Sequence, residues 1–230
     1  MGRGSSKAGG GLKESGQKPS VGGGANQPQT DPITVQPFNP DPIDLKAALG
    51  DKRRAIPAKQ ALEGANPFFY GGTEGDFTTN CQRSAVAYEL RRRGYDVIAL
   101  PSYASDDLGK GGKWLGSFRQ AKSINVGDAS PKKTQDNIEA KMKEWGNGAR
   151  GIVRIPGHVF NVENIKGKTW YIDAQDGTVY KSKNVFSEML GQTSNIKLVR
   201  TDNLRLSYRA KKAVTPMTDT VKMIVKRKKG

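Results

Sequence analysis

Three apolar runs divided by short turns dominate the middle of the chain: GIVRI (151–155), HVFNVEN (158–164) and TWYIDAQ (169–175). Each has strand length, and the gap Ile165–Lys168, with Gly167 inside it, is a hairpin signal. Strands joined this tightly pair antiparallel, since a parallel partner needs a long crossover. Ahead of them lies CQRSAVAYELRRRG (81–94), which reads as a helix. Thr79 or Asn80 is placed to cap its start, three arginines suit the negative end of its dipole, and Gly94 terminates it. YDVIALP then reads as a short strand, and TQDNIEAKMKEW (134–145) as an amphipathic helix stopped by Gly146. A short helix near Val185–Leu190 and a strand near Ile196–Arg200 close the body. Helix first and a mostly antiparallel sheet afterwards make the expected class α+β.

The flanks divide the chain further. Residues 1–24 carry nine glycines and hardly an apolar side chain, and residues 25–42 space five prolines among polar residues. Neither stretch can bury enough surface to offset its chain entropy, so residues 1–42 are expected to be a flexible linker. Residues 43–65 hold two short helical patterns, 43–50 behind Asp41-Pro42 and 57–64 between Pro57 and Gly64, a helical lead-in. The catalytic-type body is expected over 66–200, with Trp114 and Phe118 as packing anchors in an irregular stretch and Trp145 and Trp170 also packing, and a basic tail over 201–230.

Composition narrows the chemistry. The 38 Lys+Arg against 22 Asp+Glu leave a net charge of +16, and the last 30 residues hold nine of the cations against two acids. The basic end, Lys226, Arg227, Lys228 and Lys229, suits either phosphate binding by counterion release or plain solubility. Arg91, Arg92 and Arg93 read as a solvated helix end or, less simply, as a contact for an acidic partner. No run of 18 apolar residues is present, so no membrane span is expected, and the first 30 residues hold no apolar core of a signal peptide. One cysteine, Cys81, excludes a disulfide framework and multi-thiolate zinc; one histidine, His158, excludes His-rich metal sites. Neither a metal nor a cofactor is expected. What survives is chemistry that needs one thiol and one imidazole.

Cys81 opens the predicted helix, where free backbone N–H groups and the dipole favour a thiolate and could also hold an oxyanion. His158 opens one strand, and Asp173 closes the next strand of the hairpin. Adjacent antiparallel strands can set imidazole and carboxylate side by side. The set reads as nucleophile, base and orienting acid. Each residue also has a plainer reading: a small buried thiol, a structural histidine and an aspartate serving a turn.

FFYGGTEGDFTTNCQRSAVAYELRRRGYDVIALP, followed by GHVFNVENIKGKTWYIDAQDGTV, resembles the papain-fold toxins, the glutamine-deamidase-like domains of polymorphic bacterial toxins, with similar domains in phage head and virion proteins. The resemblance covers about residues 66–185. It implies a papain-like fold with Cys81, His158 and Asp173 as the catalytic set, and Asn80 and Gln175 as oxyanion or site neighbours. It implies a protein substrate bearing a target glutamine and a cognate immunity protein as a further partner; nucleic acid at the basic tail is an expectation from the tail's charge, and no membrane is expected from the apolar pattern. The setting it implies is a phage virion or a target-cell cytoplasm. The pattern H-V-x-x-V followed by K-x-W-Y-x-D is also similar to transglutaminase-like domains, which leaves acyl transfer to an amine open. No glutamine stands several residues before Cys81 to complete a peptidase-type oxyanion hole, so side-chain deamidation is favoured over proteolysis. A non-catalytic virion or nucleic-acid-associated protein with the same fold is the alternative of a different class.

Overall fold

The computed structural model describes residues 45–70, 77–102, 112–180 and 195–218 of the chain, all within the compact unit Phe38–Gly230. In chain order its elements begin with helices α1 (Leu45–Leu49), α2 (Ala58–Ala65) and α3 (Cys81–Arg92), then strand β1 (Val97–Ala99). A 3₁₀ turn (Lys113–Ser117), strand β2 (Ile124–Asn125) and helix α4 (Pro131–Trp145) follow. Next come β3 (Arg150–Ile155), β4 (His158–Ile165), β5 (Lys168–Asp173), β6 (Thr178–Tyr180) and β7 (Lys197–Arg200). A second 3₁₀ turn (Tyr208–Lys212) leads into β8 (Val214–Pro216).

The main sheet runs β2-β7-β3-β4-β5-β6, with every pairing antiparallel. The hairpin between β4 and β5 turns on Lys166 (φ 52°) and Gly167 (φ 79°). Two consecutive positive φ values form the tight turn whose twist matches the strands it joins. Strand alternation then sorts the core. Ile152, Val159, Ile172 and Val199 pack toward α3, while Val153, Phe160, Tyr171 and Leu198 pack with Ile138 and Met142 of α4. Both faces of the sheet are covered, which is why β4 is buried along almost its whole length. The class is α+β, as the order of patterns implies.

Three features depart from the sequence reading. The run YDVIALP forms β1 outside the main sheet, where it pairs with β8 through Val97↔Pro216 and Ala99↔Val214. β6, which pairs with β5, has too few residues to show a period in the sequence. The third departure corrects the expected basic tail over 201–230. Thr201, Ala210, Ala213 and Val214 are fully buried, and residues 201–216 complete the core that holds α3. Apolar residues here are spaced among cations, so hydrophobic content alone hid the segment. Residues 1–42, the expected helix near Val185–Leu190 and the basic end Lys226–Lys229 lie outside the described residues.

The arginine run at the end of α3 is not a solvated face: each charge is answered within the chain. Arg92 grips Glu163 (Nε–Oε2 2.9 Å, Nη2–Oε1 2.5 Å), and Tyr88 donates to the same carboxylate at 2.7 Å. Glu89 receives Arg93 at 2.7 Å and Arg150 in a two-pronged contact at 2.8 and 3.1 Å. Arg91 bonds Asp96 at 2.8 Å and the Val97 carbonyl at 2.9 Å. Glu89 and Glu163 are essentially without solvent exposure. Buried carboxylates at this depth persist only when paired and fully hydrogen-bonded, and here each is held by guanidinium groups. The network bolts α3 to β3 and β4, and so fixes where the helix begins relative to the ends of those strands.

Candidate active site

β4 begins at His158 and β5 ends at Asp173, so their antiparallel pairing leaves both residues at one end of the sheet. His158 Nε2 lies 2.5 Å from Asp173 Oδ2. The other carboxylate oxygen accepts the backbone N–H of Gln175 at 2.9 Å, which fixes the plane of the acid. α3 starts at Cys81, and the Cys81 side chain lies near enough to the His158 ring to favour its protonated form. With Nε2 committed to Asp173, Nδ1 is the nitrogen left for the sulfur. The only thiol and the only imidazole of the chain are therefore neighbours, and the imidazole is paired with an acid.

The electrostatics favour a charged ring. Burial opposes the imidazolium, but the hydrogen bonds to Asp173 and to Cys81, with the charges of both, outweigh it and push the His158 pKa up to about 10. Asp173 is buried, whereas Cys81 and His158 are both partly exposed. The thiol is thus open to a ligand while the carboxylate is not.

Asn80 differs from its expected part. It occupies the N-cap of α3 but makes no side-chain cap, and it is almost fully buried. Its amide nitrogen donates to Asn66 Oδ1 at 3.2 Å and to the Leu100 carbonyl at 3.0 Å. Its oxygen accepts from Ser84 Oγ at 2.9 Å and Asn66 Nδ2 at 3.1 Å. Both amide protons point inward, so the side chain has none to offer an oxyanion. The backbone N–H of Cys81, at the first helical position, has no carbonyl of its own helix to bond. Thr79, the other expected cap, pairs with Ser102 across 2.6 Å.

Gln175 lies beside the site and acts as a strap. Its side-chain nitrogen donates to the Thr78 carbonyl at 2.6 Å, tying the turn after Asp173 to the approach of α3. Asn66, read from the sequence only as the start of the body, belongs to the same strap. Its Nδ2 donates to the carbonyls of Gln175 (2.7 Å) and Phe77 (2.9 Å) as well as to Asn80. It stands just after α2, where an Asn usually signals a helix end. No local signal could reveal a partner more than a hundred residues away. Among the described residues no group of His, Cys, Asp and Glu could hold a metal ion, and no helix is long and apolar enough to cross a membrane.

Residues 79–178 match the family model described as papain fold toxin 1, glutamine deamidase. The span covers a little under half of the chain, from the residue before the N-cap of α3 to the start of β6, and so contains Cys81, His158 and Asp173. The fold is papain-like: a helix that begins on a cysteine, packed against a mostly antiparallel sheet. No curated protein and no solved structure matches the chain. The helical lead-in and residues 201–216 lie outside the papain-fold toxin match, although both pack on α3.

Proposed function

We propose that this chain carries a cysteine-dependent amidohydrolase that deamidates glutamine side chains of a target protein, with Cys81 as nucleophile, His158 as acid and base, and Asp173 as the orienting acid. The observation that supports the reading is the His158–Asp173 pair at 2.5 Å beside the cysteine that begins a helix, inside the span that matches the glutamine deamidases. An imidazolium between a sulfur and a carboxylate is the partner a thiolate needs to persist at neutral pH.

The steps follow from the placement. The Cys81 sulfur attacks the side-chain carbonyl carbon of a glutamine, and its C–S bond forms as the C=O π pair moves onto oxygen. The backbone N–H of Cys81 is placed to hold that oxyanion, with the helix dipole adding to it. His158 gives its proton to the departing nitrogen, the C–N bond breaks and ammonia leaves. The neutral imidazole then takes a proton from water, whose oxygen attacks the thioester. Collapse returns the proton and releases Cys81, with a glutamate where a glutamine stood. Asp173 keeps its hydrogen bond to Nε2 and so holds Nδ1 of the ring toward the sulfur.

The test is intact mass. Full-length protein incubated with glutamine-bearing substrate proteins should add about one dalton per site, the mass difference between an amide and an acid in this hydrolysis. Cys81→Ala should fold normally and add nothing. Fragments in place of the mass shift would indicate a peptidase, a cross-link to an amine a transglutaminase-like transfer, and equal activity in Cys81→Ala would refute catalysis by this residue.

A further inference from the structure

The first turn of α3 is bordered by two short segments that share a chemical character. The segments around the two 3₁₀ turns run side by side: the Arg119 N–H donates to the Arg205 carbonyl at 2.8 Å, the Ser207 N–H to the Ser117 carbonyl at 2.9 Å, and Phe118 bridges to Leu206. Ser207 Oγ donates to the Gly116 carbonyl, and the Arg209 stem lies over Gly116, where a methyl group would meet its Cδ at 3.1 Å. The pairing brings Arg119, Arg205, Arg209 and Lys212 together, every one exposed. Neither KWLGSFR (113–119) nor RLSYRAKK (205–212) contains an acid. None of these four cations has an ion-pair partner among the described residues. This contrasts with Arg91, Arg92, Arg93 and Arg150, whose charges are all answered internally. The exposed phenol of Tyr208 reports the resulting field: its hydrogen bond to Arg209 and the charges of Arg209, Lys212 and Lys211 lower its pKa.

The ledge adjoins the candidate nucleophile. The Trp114 N–H reaches Gln82 Oε1 at 3.4 Å, one residue from Cys81, and Arg83 donates to the Lys212 carbonyl. We propose that this cationic ledge seats acidic side chains flanking the target glutamine of a protein substrate. The proposal rests on the deamidase reading above and names the class of substrate. Unanswered cations beside a site raise the local concentration of an anionic ligand, and contacts remote from the reacting amide help to orient it. A single-stranded nucleic acid would call instead for several exposed aromatic faces to stack on, and the ledge presents only Tyr208.

The experiment measures binding apart from turnover. Full-length Cys81→Ala protein is titrated against fluorescent glutamine peptides that differ only in flanking Glu, Ser or Lys, with a DNA duplex as a separate arm. The Glu-flanked peptide should bind about tenfold or more tightly than the Ser-flanked one at low salt, the advantage shrinking as salt rises. Arg205→Glu with Arg209→Glu should erase that preference, and the milder Arg205→Gln with Arg209→Gln should halve it or more, while both keep wild-type binding of the Ser-flanked peptide. Equal binding of the Glu and Ser peptides, or a preference that survives charge reversal, overturns the proposal. So does a duplex that binds more tightly than the Glu peptide and loses that binding on the same reversal. Turnover of the Ser-flanked peptide by the wild-type protein is scored separately. Its absence counts against the deamidase reading and leaves the binding result standing.

Discussion

Both oxygens of Asp173 are engaged, one by the ring of His158 and one by the Gln175 backbone, so the acid cannot rotate away from the imidazole. Asp173→Asn removes the charge that most directly sustains the imidazolium. The expected result is a fall of about 10²–10⁴ in kcat/KM, as when an orienting acid is lost, with the alkaline limb of the pH profile moving below its wild-type position near 10. The stability linkage has the same origin. Because the folded-state pKa of His158 is raised, its contribution is complete below the unfolded value near 6.5 and is lost as pH climbs through about 10. Thermal melts of wild type and His158→Gln across that window should converge toward high pH; a constant gap would show that the pairing with Asp173 does not govern the titration. Asn66 acts one step further out. Asn66→Asp keeps its shape but replaces a donor to two carbonyls with an acceptor, loosening the join between the Asp173 turn and the approach to Cys81. Alkylation of Cys81 should slow and its pH profile shift, with Asn66→Gln restoring part of the rate.

At the scale of elements, the position of α3 decides whether the site exists. Its hydrophobic contacts are supplemented by Tyr88, Glu89, Arg92 and Arg93, all internal partners of the sheet or its flanking turns. Glu163→Ala would leave the Arg92 charge and the Tyr88 hydroxyl without their shared acceptor. Breaking a buried pair from one side costs about 3–5 kcal/mol, which urea unfolding would register as a lower midpoint. Glu163→Gln retains an oxygen for the hydroxyl and should lose less. A midpoint unchanged in Glu163→Ala would mean that the network orders the helix without stabilising it.

Across the whole molecule, the core around α3 is closed by chain segments from both ends of the described region. α1 and α2 pack into it together with Ala210, Ala213 and Val214, α1 lying against β8 and the second 3₁₀ turn, with β8 paired to β1. Ending the chain at Arg200 would expose Val97 and Ala99 on an unpaired strand and strip the cationic ledge of Arg205, Arg209 and Lys212, leaving Arg119 alone. The truncated chain should lack a cooperative thermal transition, whereas an appended solubilising tail could be removed without effect. Circular dichroism melts of the two lengths distinguish these outcomes.

The helix beginning at Cys81, the meander from Arg150 to Asp173 and the pairing of His158 with Asp173 across neighbouring strands were legible in the chain itself. Each rests on local signals: an apolar period, a turn glycine, a thiol at a helix start. Tertiary structure alone decided the rest. Asn80 turned inward because Asn66 and Leu100 offer its amide better partners than its own helix does. Arg92 became internal because Glu163, 71 residues away, was brought beneath it, and Arg93 because the carbonyls of Thr201 and Leu204 receive it. Residues 201–216 became core because β1 needed a partner strand. In each case the deciding contact joins residues far apart in sequence, and no pattern of neighbours along a chain encodes which distant group will arrive.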